Sequence, residues 1–451
     1  MAESRRVAVV GAGAAGVSAA FWLKRAGAEV TVFESGDRVG GRVRTVERDG
    51  FRFDTGAAVM PSTYVDVLRL VDALGIRDEI QLRGAVIGAL RDGVVHRIDR
   101  RRPWTALSAR NIPTRDKLSL WRLGLDIAKA WSSLSYRDLG TAARFDTETM
   151  HDYCTQHYPE SVRDNLLEPM TRALLLVEPE QTSVVDLFAA CRSILVAGHT
   201  LTHPDGLGFF LQRAAEGLDV RLNTHADDLT DTGDGVELRI SDDEGTRRER
   251  FDAAVLALPA DPALNAYPGF DPAQRKYLEN LAYSTSVVVT LGVARAPGGA
   301  TPDPSSMVLI PRDIEPDLPV IGLGHNLAPG RAPDGAGVLN CFWMTDWSTA
   351  HFGDSDESVV AHTVATVNRL LPGWAEDVRA SVVTRWRHAL VASEVGTYAG
   401  LVDFNDHTDT RARIALAGDY HAQCSVNASV AAGARAAEQL SGVLGLGSVP
   451  V

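Results

Sequence analysis

"VAVVGAGAAG", residues 7–16, is the stretch whose reading decides the fold. Val7 to Val10 is an apolar run without polar alternation, the pattern of a strand covered on both faces in a parallel sheet. Gly11, Gly13 and Gly16 follow with G-x-G-x-x-G spacing. The segment from Ala14 to Ala26 favours helix, and Gly27 is placed to end it. A second strand, Glu29 to Phe33, then delivers Glu34, eighteen residues past Gly16. Each part has a physical task. Gly11 allows the tight turn, Gly13 lets the backbone approach a pyrophosphate, and Gly16 lets the helix pack on the strand. The helix N-terminus, at Ala14 and Ala15, receives the anion. Glu34, with Ser35 beside it, is positioned to accept hydrogen bonds from a ribose. The pattern predicts a dinucleotide site and does not separate NAD from FAD.

Composition narrows the function classes. A chain of 451 residues that is 45% apolar and 23% charged reads as globular and long enough for two intertwined domains. Its formal net charge of -13 repels phosphate backbones, so no nucleic-acid partner is expected. The cysteines, Cys154, Cys191, Cys341 and Cys424, show no C-x-x-C spacing, which argues against a metal site or a disulfide framework. A cytoplasmic location is expected, since no secretory n-region and h-region precede the first strand and no apolar run is long enough for a bilayer.

Two further small-residue turns follow Glu34. "SGDRVGGRVRT" carries Gly40, Gly41 and Arg42, and "FRFDTGAAVM" carries Gly56, Ala57, Ala58 and Val59. With these the sequence resembles the FAD-dependent amine oxidase, protoporphyrinogen oxidase and phytoene desaturase superfamily. The resemblance covers essentially the whole chain. It implies an α/β fold in which a Rossmann-like FAD-binding domain is interleaved with an α+β substrate-binding domain, a mixed sheet with a helical insertion. It also implies that the "GGR" segment runs beside the pyrophosphate, that the "TGA" turn passes the flavin, and that Arg42 is the charge partner of the diphosphate. The implied division is 1–60, 204–284 and 401–451 for the FAD-binding domain, and 61–203 with 285–400 for the substrate-binding domain.

From Val59 to Thr202 the pattern reads as largely helical, most clearly over about 104–200, with Pro61, Pro103, Pro113 and Pro179 as punctuation. Between Arg115 and Leu134, Leu118, Trp121, Leu125, Ala128 and Trp131 recur at helical spacing. Such a stripe ordinarily packs inward. Superfamily members acting on lipid-soluble substrates dock to membranes through helices here, which leaves peripheral membrane contact as the alternative. The turn at Pro204 to Gly206, a helix to about Gly217 and a strand Val220 to Asn223 return to the nucleotide half. By resemblance, Ala226 touches adenine through its main chain. "SVVVTLGVA", "MVLIP" and "VLNCFWM" read as strands of the substrate domain.

Near the C-terminus, "RIALAGDYHAQCSVNASVAAG", residues 413–433, repeats the opening device: a short strand, a turn at Gly418 and Asp419, and a helix of small residues. The resemblance places Asp419 on a ribityl or pyrophosphate-side oxygen and aims the helix N-terminus, with Ser425, Val426 and Ser429, at the flavin pyrimidine ring. A partial positive charge there stabilises the anionic reduced flavin.

The resemblance assigns Trp386 a place flanking the flavin, and Tyr398 one wall of the aromatic cage of the amine-oxidase branch. Thr397 stands where some of that branch tether FAD through cysteine, so noncovalent FAD is expected. Ser425 stands where the second cage aromatic belongs. The strand "STSVVVTLGV" lacks the lysine common in that branch; the four lysines are Lys24, Lys117, Lys129 and Lys276. His421 and Cys424 are the polar candidates near the ring. The expected activity is hydride transfer from a largely apolar small molecule to flavin N5. Desaturation of a C–C bond is weighed slightly above amine oxidation, and a non-redox isomerase is the third reading. An arginine clamp for substrate carboxylates cannot be chosen from sequence, and monomer and homodimer both stay open.

Overall fold

In the computed structural model, the described residues are 4–84, 86–102, 105, 111–299, 301–422 and 424–449; Pro103 lies outside them. The opening motif folds as its pattern predicts. Arg6–Val10 is a strand, Ala14–Arg25 a helix and Glu29–Phe33 a second strand. They build a parallel five-stranded sheet in the order Asp219–Arg221, Glu29–Phe33, Arg6–Val10, Ala253–Leu256, Ile414–Leu416. The first strand is central, and Val7, Ala8 and Val9 are wholly buried between its neighbours. Gly11 ends it with φ +98°, a conformation that only glycine adopts freely.

The closing strand, Ile414–Leu416, joins this sheet in parallel beside Ala253–Leu256. It feeds the closing helix, Val426–Leu444, which lies across the opening helix, Ala14–Arg25. Their crossing is close enough that a Cβ on Gly433 would sit 2.2 Å from the Ala15 carbonyl oxygen. At the same crossing the buried Ser18 hydroxyl donates to the Val430 carbonyl at 2.8 Å. The alanines of the closing helix are what allow this approach, because larger side chains would hold the backbones apart.

A seven-stranded sheet forms the second layer, in the order Val378–Trp386, Ser286–Val293, Gly337–Phe342, Val320–Leu323, Met307–Leu309, Val86–Arg91, Val94–Asp99. Every residue of Ser286–Val293 is buried. The sheet is mixed: Met307–Leu309 runs parallel to Val86–Arg91, and its other pairs are antiparallel.

Two expectations for the middle of the chain are corrected here. The stretch after Val59 is less helical at its start than expected: besides the helix Val65–Leu74 it carries the strands Met60–Pro61, Gln81–Gly84, Val86–Arg91 and Val94–Asp99. The last two form a hairpin about Asp92 and Gly93, which have φ +51° and +72°, as a two-residue loop matching strand twist requires. The helix Leu120–Ala130 buries Leu123, Ile127 and Ala130. The stripe expected to pack inward faces outward instead, with Leu118 73%, Trp121 67%, Leu125 50% and Trp131 42% exposed. Both faces of this helix are apolar, so spacing alone did not choose between them. Among the described residues, no helix is long and apolar enough to cross a membrane.

Gly433→Ala is expected to lower unfolding free energy by about 1–3 kcal/mol through overpacking at the helix crossing. Gly442→Ala, on the exposed side of the same helix with open space at its Cβ, is expected to raise it by about 0.5–1 kcal/mol. Denaturant titration of both variants checks this, and equal effects would refute the close crossing.

Candidate functional site

Parallel strands ending at one edge, those at Arg6–Val10 and Ile414–Leu416 running into the glycine turns at Gly11 and Gly418, leave a crevice at their carboxyl ends. A cavity of about 910 Å3 opens there and continues between the two sheets. That volume lies near the top of the range for small-molecule sites. Of the cofactor residues expected from sequence, all but Gly16 line it. Gly16 is a packing position: a Cβ there would fall 1.8 Å from the Gly11 carbonyl oxygen.

The nucleotide side is built from backbone. A Cβ on Gly13 would project into open space within the cavity, whereas a Cβ on the neighbouring Gly41, at φ +53°, would sit 3.1 Å from the Gly13 Cα. Glu34 ties two turns together, its Oε2 accepting from Ala12 N–H and its Oε1 from Gly36 N–H, both at 2.8 Å. Each oxygen keeps a lone pair for a ribose hydroxyl. Ala226 and Ser35 stand in the same wall. Open space above Gly13, flanked by the N-termini of the opening and closing helices, fits a diphosphate-bearing cofactor.

Arg42 and Asp419 meet each other. Arg42 Nη1 donates to Asp419 Oδ2 at 2.9 Å and Nη2 to Oδ1 at 3.0 Å, while Nη1 also donates to the Ala389 carbonyl at 3.0 Å. Both had been expected on the cofactor; here they pair, because a bidentate guanidinium–carboxylate contact satisfies two partly desolvated charges at once. Burial, the largest single influence, opposes the charged form of Arg42, but Asp419, Cys424 and Tyr283 together outweigh it and the guanidinium pKa is raised. Asp54, in the "FDTG" turn, is likewise structural: it holds the buried Arg331 Nη1 at 2.7 Å and accepts from Leu207 N–H at 3.0 Å.

The closing helix starts at the cavity with Ser425 as its cap, Oγ accepting from Ala428 N–H at 3.0 Å. Val426 and Ser429 face the cavity from its first turn. Trp386 is locked by an Nε1–H donated to the Thr55 carbonyl at 2.8 Å. Arg44 lies over its ring, 5.6 Å from the centroid.

Of the three candidate catalytic residues, the cavity receives one. Cys424 lines it, with Sγ 3.5 Å from Asp419 Oδ2, and burial pushes its thiol pKa well up, so it stays protonated and supplies no base. Tyr398 is turned away: its hydroxyl donates to Asp186 Oδ1 at 2.7 Å and bonds Ser393 Oγ at 3.1 Å. The amides of Gly396 and Tyr398 both reach Asp146 Oδ2 at 2.9 Å, anchoring the helix Thr397–Asp406. A buried hydroxyl goes where it finds acceptors, and these lie behind the cavity wall. His421 is buried against Phe404 and Tyr420, its pKa pushed well below 6.5 by burial, and it too lies outside the cavity. The segment that does reach the cavity is Trp386 to Leu390, ahead of Tyr398.

Sequence reasoning missed Tyr64, Tyr136, Arg100 and Asn340 in the wall. Tyr64 and Tyr136 form an edge-on pair with centroids 5.9 Å apart. None stands in a motif. Among the described residues, no cluster of His, Cys, Asp or Glu could hold a metal ion.

Comparison with known proteins agrees with this geometry. The sequence model of the family described as flavin containing amine oxidoreductase matches residues 14–441. Protoporphyrinogen oxidase 2, chloroplastic/mitochondrial, of Arabidopsis thaliana is 30% identical over 188 residues, 41% of this chain and 35% of that protein. The 15-cis-phytoene desaturase of Synechococcus elongatus is 26% identical over 278 residues, 57% of this chain and 58% of its own. The matches thus span about a third to three fifths of these relatives' lengths. Among solved structures, cyclohexylamine oxidase from Brevibacterium oxydans shares the fold, with a TM-score of 0.76 at 19% identity over 98% of this chain and 100% of that one.

Burial pushes the Asp186 carboxyl from its usual 3.8 up to about 7. Between those values the folded state holds a proton that the unfolded chain releases, so this residue's contribution to stability declines as pH rises from about 4 to about 7 and is level above. Asp186→Asn is expected to flatten that part of the unfolding-midpoint profile, and an unchanged slope would show that Asp186 does not titrate there.

Proposed function

Because the chain belongs to the flavin-containing amine oxidoreductase family, we propose that it is an FAD-dependent oxidoreductase of a largely apolar small molecule, acting on a C–C bond in preference to a C–N bond. One observation carries the reading: a single cavity has two helix N-termini and glycine turns on one side and, on the other, an apolar wall that includes Met170, Leu175, Leu309, Val320 and Phe342.

Bound FAD would supply the two-electron acceptor for hydride leaving carbon. The chain's own residues set the conditions for it. Glu34 and the turns at Gly13 and Gly41 hold the nucleotide end. The N-terminus of the closing helix brings partial positive charge to the cavity and would favour an anionic reduced cofactor held there. The Arg42–Asp419 pair is internally neutral and keeps that end of the cavity from carrying a net charge of its own. The apolar wall excludes water and orients the substrate by shape.

The preference for C–C chemistry rests on what flanks the substrate. No lysine lines the cavity among the described residues, and Tyr398 is committed to Asp186 and Ser393. The aromatic cage of the amine-oxidase branch therefore lacks one wall from Tyr398 and the other from Ser425. FAD is proposed to be noncovalent, since Cys424 is the one cysteine lining the cavity among the described residues and its thiol is engaged with Asp419. A reducing, cytoplasmic compartment suits four free cysteines.

Peripheral membrane contact is part of the proposal. The outward stripe of Leu118, Trp121, Leu125 and Trp131 has the apolar face of an interfacial helix, and Arg115 and Lys129 beside it are ion-paired with Asp116 and Asp126, so the attraction to a bilayer is carried by the apolar groups. Monomer and homodimer both accommodate it.

Purified protein is expected to be yellow and to release FAD on denaturation, and its absorbance near the flavin maximum is expected to bleach when substrate is added without oxygen. Ammonia among the products would favour the amine-oxidase reading, and turnover without bleaching would favour an isomerase. A second expectation concerns vesicles of phosphatidylcholine and phosphatidylglycerol: the native protein co-sediments with them and Trp121→Asp with Leu125→Asp abolishes this, whereas identical sedimentation of the two would remove the stripe from the account.

A further inference from the structure

One face of the seven-stranded sheet is the floor of the cavity, and the strand register fixes which side chains stand together on it. Val320 lies opposite Phe342 on one side and Leu309 on the other, and all three line the cavity. Two residues along the same strands, and therefore on the same face, Gly322 lies opposite Asn340 and Met307, and these line it too. The first row is wholly apolar. The second holds one polar side chain and, beside it, no side chain at all. The nearest atoms that a Cβ on Gly322 would meet belong to Asn340, its Cβ at 3.3 Å and its Cγ at 4.0 Å. Gly322 thus leaves a notch in the floor next to the Asn340 amide, and a glycine within a strand commonly marks the close approach of a ligand.

Half of that amide is committed and half is not. Asn340 is 2% exposed. Its Nδ2 donates to the Asp54 carbonyl at 3.2 Å, just ahead of the cavity-lining turn 56–59, and this fixes which way the amide faces. Its Oδ1 is left buried without a hydrogen-bond partner among the described residues. Thr290, opposite Asn340 on the neighbouring strand, does not supply the missing donor, since its own Oγ1 is buried without a partner as well. An amide oxygen kept from both water and protein donors is costly and uncommon. Room for a donor exists on the cavity side, where Gly322 contributes no side chain.

We propose that Asn340 Oδ1, beside the notch at Gly322, accepts a hydrogen bond from a hydroxyl group on an otherwise apolar substrate. This rests on the reading of the cavity as a substrate site and adds a polar feature of the substrate to it. The group is a donor, because a carbonyl or carboxylate oxygen would set two acceptors against each other. It is also neutral. A single amide oxygen among apolar neighbours does not compensate a buried ammonium, and the carboxylates that line the cavity, Glu34, Asp227 and Asp419, are each engaged by protein groups. A hydroxyl held at Asn340 fixes one point of the substrate, and the carbon offered to the cofactor is set by its distance from that point.

The test is calorimetric titration of the holoprotein, without oxygen, with octan-1-ol, its isomer 1-methoxyheptane, which accepts but does not donate, and octan-1-amine, which is charged at neutral pH. Octan-1-ol is expected to bind about three- to tenfold more tightly than the ether, the scale of a neutral hydrogen bond, and more tightly than the amine. Asn340→Leu is expected to remove the preference for the alcohol while leaving the ether's affinity unchanged. Gly322→Ala, which fills the notch and keeps the amide, is expected to weaken the alcohol more than the ether. Equal affinity for the two isomers in the native protein, no binding of octan-1-ol, tightest binding of the amine, or an undiminished preference for the alcohol in either folded variant would each overturn the proposal. The native comparison and Gly322→Ala decide the matter even if Asn340→Leu fails to fold for want of its bond to Asp54. Flavin content and bleaching are read separately: a colourless protein that prefers the alcohol through Asn340 defeats the redox reading alone, and a reducible yellow protein indifferent to the isomers defeats the Asn340 contact alone.

Discussion

The contact on which the rest depends is the crossing of two helices that begin more than four hundred residues apart. Gly433 rests on the Ala15 carbonyl and Ser18 bonds to Val430. That crossing brings the N-terminus of the closing helix to the same cavity as the first glycine turn. Helix ends carry unsatisfied N–H groups and partial positive charge that fade within a turn. Two of them acting on one ligand require their axes to converge closely, which only small residues permit.

Charge in the cavity is arranged by pairing. Arg42 and Asp419 neutralise each other and, with the Ala389 carbonyl, join three distant parts of the chain. Asp54 and Arg331 do the same deeper in the structure, bringing Leu207 with them. Such pairs specify which segments meet more than they stabilise the whole, since desolvation offsets much of the attraction. Arg100 departs from this rule: its partner is the Thr200 hydroxyl, and no carboxylate pairs with it among the described residues.

Legibility varied with the range of the interaction. The Asp92–Gly93 hairpin was readable in principle, because an Asp-Gly pair between β-branched runs is a local turn signal; the surrounding helical composition obscured it. The outward stripe of Leu118, Trp121 and Leu125 could not be oriented by periodicity, since Leu123 and Ile127 offer an equally apolar face. Tyr398 was expected as a cage wall, yet Asp186, Ser393 and Asp146 capture it, and the two carboxylates lie more than two hundred residues away in sequence.

By itself, the sequence determined the parallel sheet, the glycine turns, the acid at Glu34 and the start of the closing helix at Ser425. Each is a local device: a backbone conformation open to glycine alone, a strand followed at once by its helix, a side chain bonding an amide three residues on. The tertiary structure decided that Arg42 faces Asp419 and that Tyr398 turns from the cavity. Those outcomes depend on which buried polar groups find one another across hundreds of residues, and no spacing rule along the chain encodes that meeting.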